Sequence, residues 1–176
     1  MTEGRAAVQG LRSSIVVAND LARAIATFAD GLTADQPGRN RPGFGLQVEG
    51  NSRDLPPLVR DEVYHIACET LRNAFRHAQA KRIEVCLRYD PRQFRLRVVD
   101  NGKGIDPAVL SAGRRAGHYG LPGIHERAEL SGGKLSVWSQ RNSGTEIELS
   151  IPASIAYLKP SPERQSMSTG KEPNNP

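Results

Sequence analysis

The sequence predicts an α/β fold in two layers, a mixed and mostly antiparallel sheet with helices on one face. Three observations predict it. Leu21 to Leu32 and Leu58 to Ala78 repeat apolar residues at helical spacing, whereas four later stretches alternate with a period of two. Those stretches come in pairs separated by turn-forming residues, as antiparallel hairpins do. The elements then run helix, strand, helix, hairpin, glycine-rich loop, helix, hairpin. A chain of 176 residues suffices for one such domain with short extensions.

Residues 1 to 18 hold a short apolar patch, Ile15-Val16-Val17-Ala18, behind a polar lead, and are poor material for an independent unit. Asn19-Asp20 can cap a helix over 19–36. Leu21, Ala24 or Ile25, Phe28 and Leu32 give that helix an apolar stripe, docked on the following domain or on a partner. A linker rich in Gly and Pro follows, from Pro37 to Pro42. Phe44, Leu46 and Val48 then alternate with Gly45, Gln47 and Glu49 as a short half-buried strand ending near Gly50.

Pro56-Pro57 opens the long helix, since proline suits a first turn whose amides need no helical partner. Val59, Val63, Ile66 or Ala67, Leu71, Ala74 and Phe75 form its apolar face. Ile83, Val85, Leu87 and Tyr89, the turn Asp90-Pro91-Arg92-Gln93, and Phe94, Leu96 and Val98 form a hairpin running to Asp100. Residues 101 to 119 read as loop or lid. A helix from Leu121 to Leu130 ends at Gly132-Gly133. Leu135, Val137 and Ser139, the turn Arg141-Asn142-Ser143-Gly144, and Ile147, Leu149 and Ile151 make the second hairpin. Beyond Ala153, composition predicts a disordered tail over 154–176 after an apolar stub at Ile155 to Leu158.

A net charge of +5 is compatible with an anionic ligand such as a nucleotide but too weak and dispersed to indicate nucleic acid, so no nucleic-acid partner is expected. Cys68 and Cys86 fit neither a zinc site nor a disulfide framework and read as ordinary thiols in a reducing compartment. The chain is expected to be cytoplasmic, by itself or as the cytoplasmic part of a larger sensor.

Three stretches carry candidate chemistry. Glu69, Asn73 and His77 are spaced by four and share one line of the long helix, opposite its apolar face. Asp100-Asn101-Gly102-Lys103-Gly104 follows a strand directly. It supports two readings: a plain Asn-Gly turn, or an aspartate accepting from an exocyclic amine while Gly102 and Gly104 turn the backbone against a planar ring. Gly117-His118-Tyr119-Gly120-Leu121-Pro122-Gly123-Ile124 is either a mobile loop or a phosphate cradle at a helix start. No P-loop or dinucleotide fingerprint occurs.

Taken together these stretches resemble the catalytic, ATP-binding domain of bacterial sensor histidine kinases. The wider family includes type II topoisomerase ATPase subunits, Hsp90 chaperones and mismatch-repair ATPases. The likeness covers roughly residues 44 to 152: Glu69-x-x-x-Asn73-x-x-x-His77-Ala78, Asp100-x-Gly102-x-Gly104, Gly117-x-x-Gly120-Leu121-x-Gly123, and Gly144-Thr145. Arg72 to Ala78 and Gly120 to Ala128 are most similar to the nitrate/nitrite-type sensors.

The resemblance implies a Bergerat ATP-binding fold over 43–153, with ATP and Mg²⁺ as ligands. It implies that Asn73 holds Mg²⁺, that Glu69 orients the metal shell or a water, and that Asp100 binds the adenine amine with Thr145 nearby through water. Gly102, Gly104, Gly117, Gly120, Leu121 and Gly123 would shape the pocket, and His77, or more weakly Arg76 or Lys103, would face phosphate. Residues 1–18 become a remnant or linker from an upstream helical domain, and 19–36 a linking helix.

No histidine precedes His65, and His65 lies too close to Asn73 to be a phosphoacceptor. The expected partner is therefore a histidine-bearing dimerisation domain of the same or a partner kinase, and indirectly a response regulator. The isolated chain is expected to be a monomer, either a fragment or a stand-alone protein whose acceptor lies on another chain. Two other readings remain: a stand-alone serine-protein kinase resembling the anti-sigma-factor kinases, and a non-catalytic nucleotide-binding module.

Overall fold

The computed structural model describes residues 21–35, 41–106, 108 and 121–158. Within them lie α1 (Leu21–Ala34), β1 (Gly43–Glu49), α2 (Pro57–Asn73), β2 (Arg82–Tyr89), β3 (Gln93–Asp100), α3 (Leu121–Leu130), β4 (Lys134–Gln140), β5 (Gly144–Pro152) and α4 (Ala153–Ala156). The five strands are ordered β1-β2-β3-β5-β4. Only β1 and β2 run parallel, as the intervening α2 crossover allows; every other neighbour pair is antiparallel. This is the mixed, mostly antiparallel sheet with helices that the sequence predicts.

Alternation decides which sheet face is covered. Ile83, Val85, Leu87, Phe94, Leu96, Val98, Leu149 and Ile151 are buried beneath the helices. The residues between them, such as Glu84, Arg88, Arg95, Arg97, Glu146 and Glu148, leave the other face polar. Arg97 and Glu146 pair there through two bonds of 2.9 and 2.7 Å. Val48, expected to be half-buried, is exposed because β1 is an edge strand.

The amino-terminal helix is part of the core. Leu21, Ile25 and Ala29 have at most 1% of their surface exposed, and α1 packs on α2 and β1. Pro57 occupies the first turn of α2 as expected. At the end of α3 the amides of Gly132 and Gly133 return to the carbonyls of Glu129 and Ala128, closing the helix with paired bonds. The stub after β5 is packed: Ala156 and Tyr157 are buried, and the Tyr157 hydroxyl donates to the carbonyls of Asp90 and Gln93. Residues 154–158 thus belong with the sheet rather than with the tail. The remaining tail, residues 1–20 and the cap at Asn19-Asp20 lie outside the described residues.

Among the described residues no helix is long and apolar enough to cross a membrane.

Candidate functional site

The long helix does not stay α-helical to Ala78. It ends at Asn73 and continues as a single π turn, Ala74–Ala78, after which Gln79 takes a left-handed φ of 52°. A π turn closes bonds five residues apart rather than four, so His77 leaves the line that holds Glu69 and Asn73. Glu69 and Asn73 are half-buried, whereas His77 and Arg76 are exposed. The expectation of one straight polar line therefore holds for its first two members only. Glu69 is engaged by Arg72, one turn on, and the Arg72 guanidinium also lies 5.6 Å from the Phe28 ring centre on α1. Asn73 makes no side-chain hydrogen bond with any described residue, which leaves its amide oxygen available as a ligand.

The Asp100 stretch is held against the end of that π turn. Gly102 packs its backbone so closely on Ala78 that a Cβ would overlap the Ala78 carbonyl oxygen, while the Lys103 amide donates to the same oxygen at 2.8 Å. Gly104 has a φ of 72° and lies equally close to the Gln140 carbonyl. These two glycines thus join the helix end, the loop and the β4–β5 turn; the close approach that requires them is backbone on backbone. Asn101 adds a staple, its Oδ1 accepting from the amides of Lys81 and Arg82 at 2.9 and 2.8 Å. The loop bonds thus support the Asn-Gly turn reading for Asn101 and Gly102.

Asp100 itself faces the core layer and is 7% exposed, and among the described residues no cation pairs with it. A buried carboxylate is costly without compensation. Burial raises its pKa above the ordinary value, and hydrogen bonds from the Gly102 amide and from Thr145, by backbone and hydroxyl, offset part of that rise. The Gly102 bond is 2.8 Å long. Register explains the grouping: Asp100 lies opposite Thr145, and Thr145 opposite Ser139. Ser139 Oγ is 3.0 Å from Thr145 Oγ1 and accepts from the Ile105 amide at 2.8 Å.

Ser139, Asn101 and Arg72 are the site residues that sequence reasoning missed. Ser139 carried a signal, being a hydroxyl at an inward position after Leu135 and Val137.

On the helix side, Leu121 and Gly123 begin α3, half-buried and exposed respectively, while Gly117 and Gly120 lie outside the described residues. The buried residues Ile124 and Ala128 fix α3 in the core, and Arg127 donates to Glu62 of α2 at 2.8 Å. Neither cysteine offers a nucleophile. Burial pushes the Cys68 thiol up to about 11, and the Cys86 thiol is also raised. An open groove of about 410 Å³ lies on the opposite, polar face of the sheet, lined by residues such as Gly45, Glu84, Cys86 and Arg97. It is separate from Asn73 and Asp100.

A family model described as "Histidine kinase-, DNA gyrase B-, and HSP90-like ATPase" matches residues 59–155, more than half of the chain. The chain belongs to that family. Its match contains Glu69, Asn73, His77, Asp100, the lid stretch and Thr145, while α1 and β1 precede it. Among curated relatives, the sensor histidine kinase LiaS of Bacillus subtilis is 32% identical over 152 residues, 85% of this chain. The sensor histidine kinase YdfH of the same organism is 39% identical over 99 residues, 56% of this chain. The signal transduction histidine-protein kinase/phosphatase DegS of Brevibacillus brevis is 31% identical over 103 residues, 58% of this chain. These matches span 39%, 24% and 26% of the relatives' own lengths. Among solved structures, the histidine kinase domain of the Erythrobacter litoralis EL346 blue-light activated histidine kinase shares the fold, with a TM-score of 0.59 at 23% identity over 76% of this chain and 61% of that one.

Proposed function

We propose that this chain is the ATP-binding catalytic domain of a two-component sensor histidine kinase, of the subgroup resembling nitrate/nitrite-type sensors. It donates the ATP γ-phosphoryl group to a histidine on a separate dimerisation domain, from which a response regulator receives it. One observation carries the reading: the Asp100 loop is bonded to the end of the π turn that continues the helix bearing Asn73, so a buried acceptor and a free amide oxygen sit on directly joined elements. The domain limits proposed are 43–153 with residues 154–158 added, α1 as the link to the helical domain, and residues 1–18 as its remnant.

The residues present fit a nucleotide with Mg²⁺. Among the described residues no three His, Cys, Asp or Glu side chains gather as a metal cage. A divalent ion would take its ligands from Asn73, water and phosphate oxygens, and would neutralise phosphate charge during transfer. Asp100 accepts from the adenine amine, with Thr145 beside it. Gly102 sets the distance between that edge and the helix end, and Gly104 the distance to the β4–β5 turn. Leu121 and Gly123, with Gly117 and Gly120 before them, border the phosphates, and His77 faces them from the π turn. Glu69, already engaged by Arg72, is suited to orienting the metal shell rather than to activating water for hydrolysis.

Calorimetric titration with ATP and Mg²⁺ tests the binding step; no heat at millimolar nucleotide would sink the reading. Incubation with labelled ATP and a dimerisation domain from a related kinase tests the transfer. An acid-labile product is expected, since phosphohistidine is acid-labile; an acid-stable one points instead to the serine-kinase alternative.

A further inference from the structure

β1 lies at one end of the sheet, and its outer side is open. The Gly43 amide donates to the Lys81 carbonyl at 2.9 Å. In a parallel ladder every second residue bonds to the same neighbour, so Gly43, Gly45, Gln47 and Glu49 turn their amides and carbonyls to β2. Phe44, Leu46 and Val48 turn theirs the other way, and among the described residues no backbone group bonds to them. Register with β2 is one to one from Gly43 to Glu49, so no bulge bends this edge, and it carries no lysine, proline or inward-facing charge to guard it.

We propose that this edge pairs with β1 of a second copy of the chain, antiparallel about a two-fold axis at Leu46. An axis there uses every open group: Leu46 meets the partner's Leu46 and Phe44 meets the partner's Val48, each pair exchanging two backbone bonds. Moving the axis to Gly45 or Gln47 leaves part of the set unpaired. Both faces match in that register. On the helix-covered face the partner's Phe44 comes beside Val48, which is 41% exposed in the single chain. On the polar face Gln47 and Glu49 come beside the partner's Gly45 and Gly43. Those glycines leave a bare lane: a Cβ at Gly45 would meet nothing within 4 Å, and one at Gly43 only the Lys81 carbonyl oxygen at 3.7 Å. One strand further in, Arg82 stands opposite Gly43 and Glu84 opposite Gly45. Glu49 thus reaches over the lane to the partner's Arg82, about 10 Å away between Cα atoms and within the joint span of the two extended side chains. The Gln47 amide reaches the partner's Glu84 in the same way. So short an edge makes a weak dimer in place of the expected monomer. The inference stands apart from the ATP-binding reading, whose residues lie on β3, β5 and the end of α2.

The test follows the full chain by sedimentation equilibrium from about 20 μM to 1 mM, the range in which a small interface associates. Wild type is expected to pass from monomer to dimer over that range. Glu49→Arg and Arg82→Glu each set like charges together twice in a dimer and should each weaken self-association by about tenfold. Mixed in equal amounts, the two variants should associate to within about threefold of wild type, because each copy then meets opposite charge at both positions. A fault in the fold of either variant would not be repaired by mixing. Amide exchange in wild type, followed by NMR, reads the register without mutation: as concentration rises, Phe44, Leu46 and Val48 should slow, while Gly45 and Gln47, already bonded to β2, should not change. A wild type that stays monomeric throughout, or a mixture no tighter than its parts, overturns the pairing. Slow exchange of Phe44, Leu46 and Val48 at every concentration overturns it too, since the edge is then covered within the single chain.

Discussion

On the sheet side of the site Asp100, Asn101, Thr145 and Ser139 are all tied by hydrogen bonds to strands or to the loop between them. On the helix side the side chains of Asn73, His77 and Lys103 make none with any described residue. The sheet side is already ordered, its acceptor buried and aligned by register, so a ligand proposed to bind there would have to supply a complementary donor. The helix side offers ligating atoms at half-exposed positions, where water and ions can exchange. Under the proposed function, the first side would select the base and the second would gather the phosphates.

The division is broken most directly by removing one group from each side. Asp100→Ala should weaken ATP by about 10–100-fold whether or not Mg²⁺ is present, and adenosine by the same factor. Asn73→Ala should lose the Mg²⁺-dependent part of ATP binding and leave adenosine unchanged. Calorimetry with ATP, ATP with Mg²⁺, and adenosine separates the two. Equal losses of both variants in chelator would mean that the halves are not distinct.

Next comes the join between them. Gly102→Ala places a Cβ against the Ala78 carbonyl, and overpacking of this kind costs about 1–3 kcal/mol, with roughly 2–4 °C of melting temperature per kcal/mol in a chain this size. Lys103→Ala, one residue on, should leave the melting temperature unchanged, because Lys103 bonds through its backbone amide and carbonyl, which the substitution keeps. A Gly102→Ala protein as stable as wild type would show that the contact yields easily.

The pH response separates the halves without mutation. Asp100 has a raised pKa, so its carboxylate is protonated before the ordinary value of 3.8 is reached, and adenosine binding should fail as pH drops through that raised value. Stability of the free chain runs the other way. Asp100's favourable contribution is fully present below its unfolded pKa and is lost as pH rises through the raised folded one. Melting curves across that window should show the trend in wild type and lose it in Asp100→Asn, while Asn73→Ala keeps it.

The sequence exposed the elements that repeat with a period and hid those that depend on contact. Alternation in β2 to β5 and the helical spacing of α1 and α2 were legible because each face meets one environment along its whole length. Asn73 and Asp100 were legible as polar residues at strand or helix positions with glycines in fixed order. The π turn was not, because it answers to the Lys103 amide and Gly102 packing on Ala78, which are distant in sequence. Ser139 reads as one more strand residue until register sets it beside Thr145. The stub at Ile155 to Leu158 looked like the start of a tail because Tyr157 finds its partners, Asp90 and Gln93, 67 and 64 residues away in the chain.

The smallest effect expected comes from the Glu62–Arg127 pair, which ties α3 to α2 on the helix side. Glu62 is largely covered and Arg127 half-exposed, so Arg127→Ala should cost no more than about 1 kcal/mol of stability. Its value lies in where the loss appears. α3 carries Leu121 and Gly123 at its start, which the proposed function puts beside the phosphates, and loosening it should then raise the dissociation constant of ATP with Mg²⁺ slightly while leaving adenosine unaffected. Reversing the pair, Glu62→Arg with Arg127→Glu, should recover part of both effects if attraction between the two side chains is the cause. Equal weakening of adenosine and ATP would place α3 in service of the whole pocket and remove the boundary between its halves.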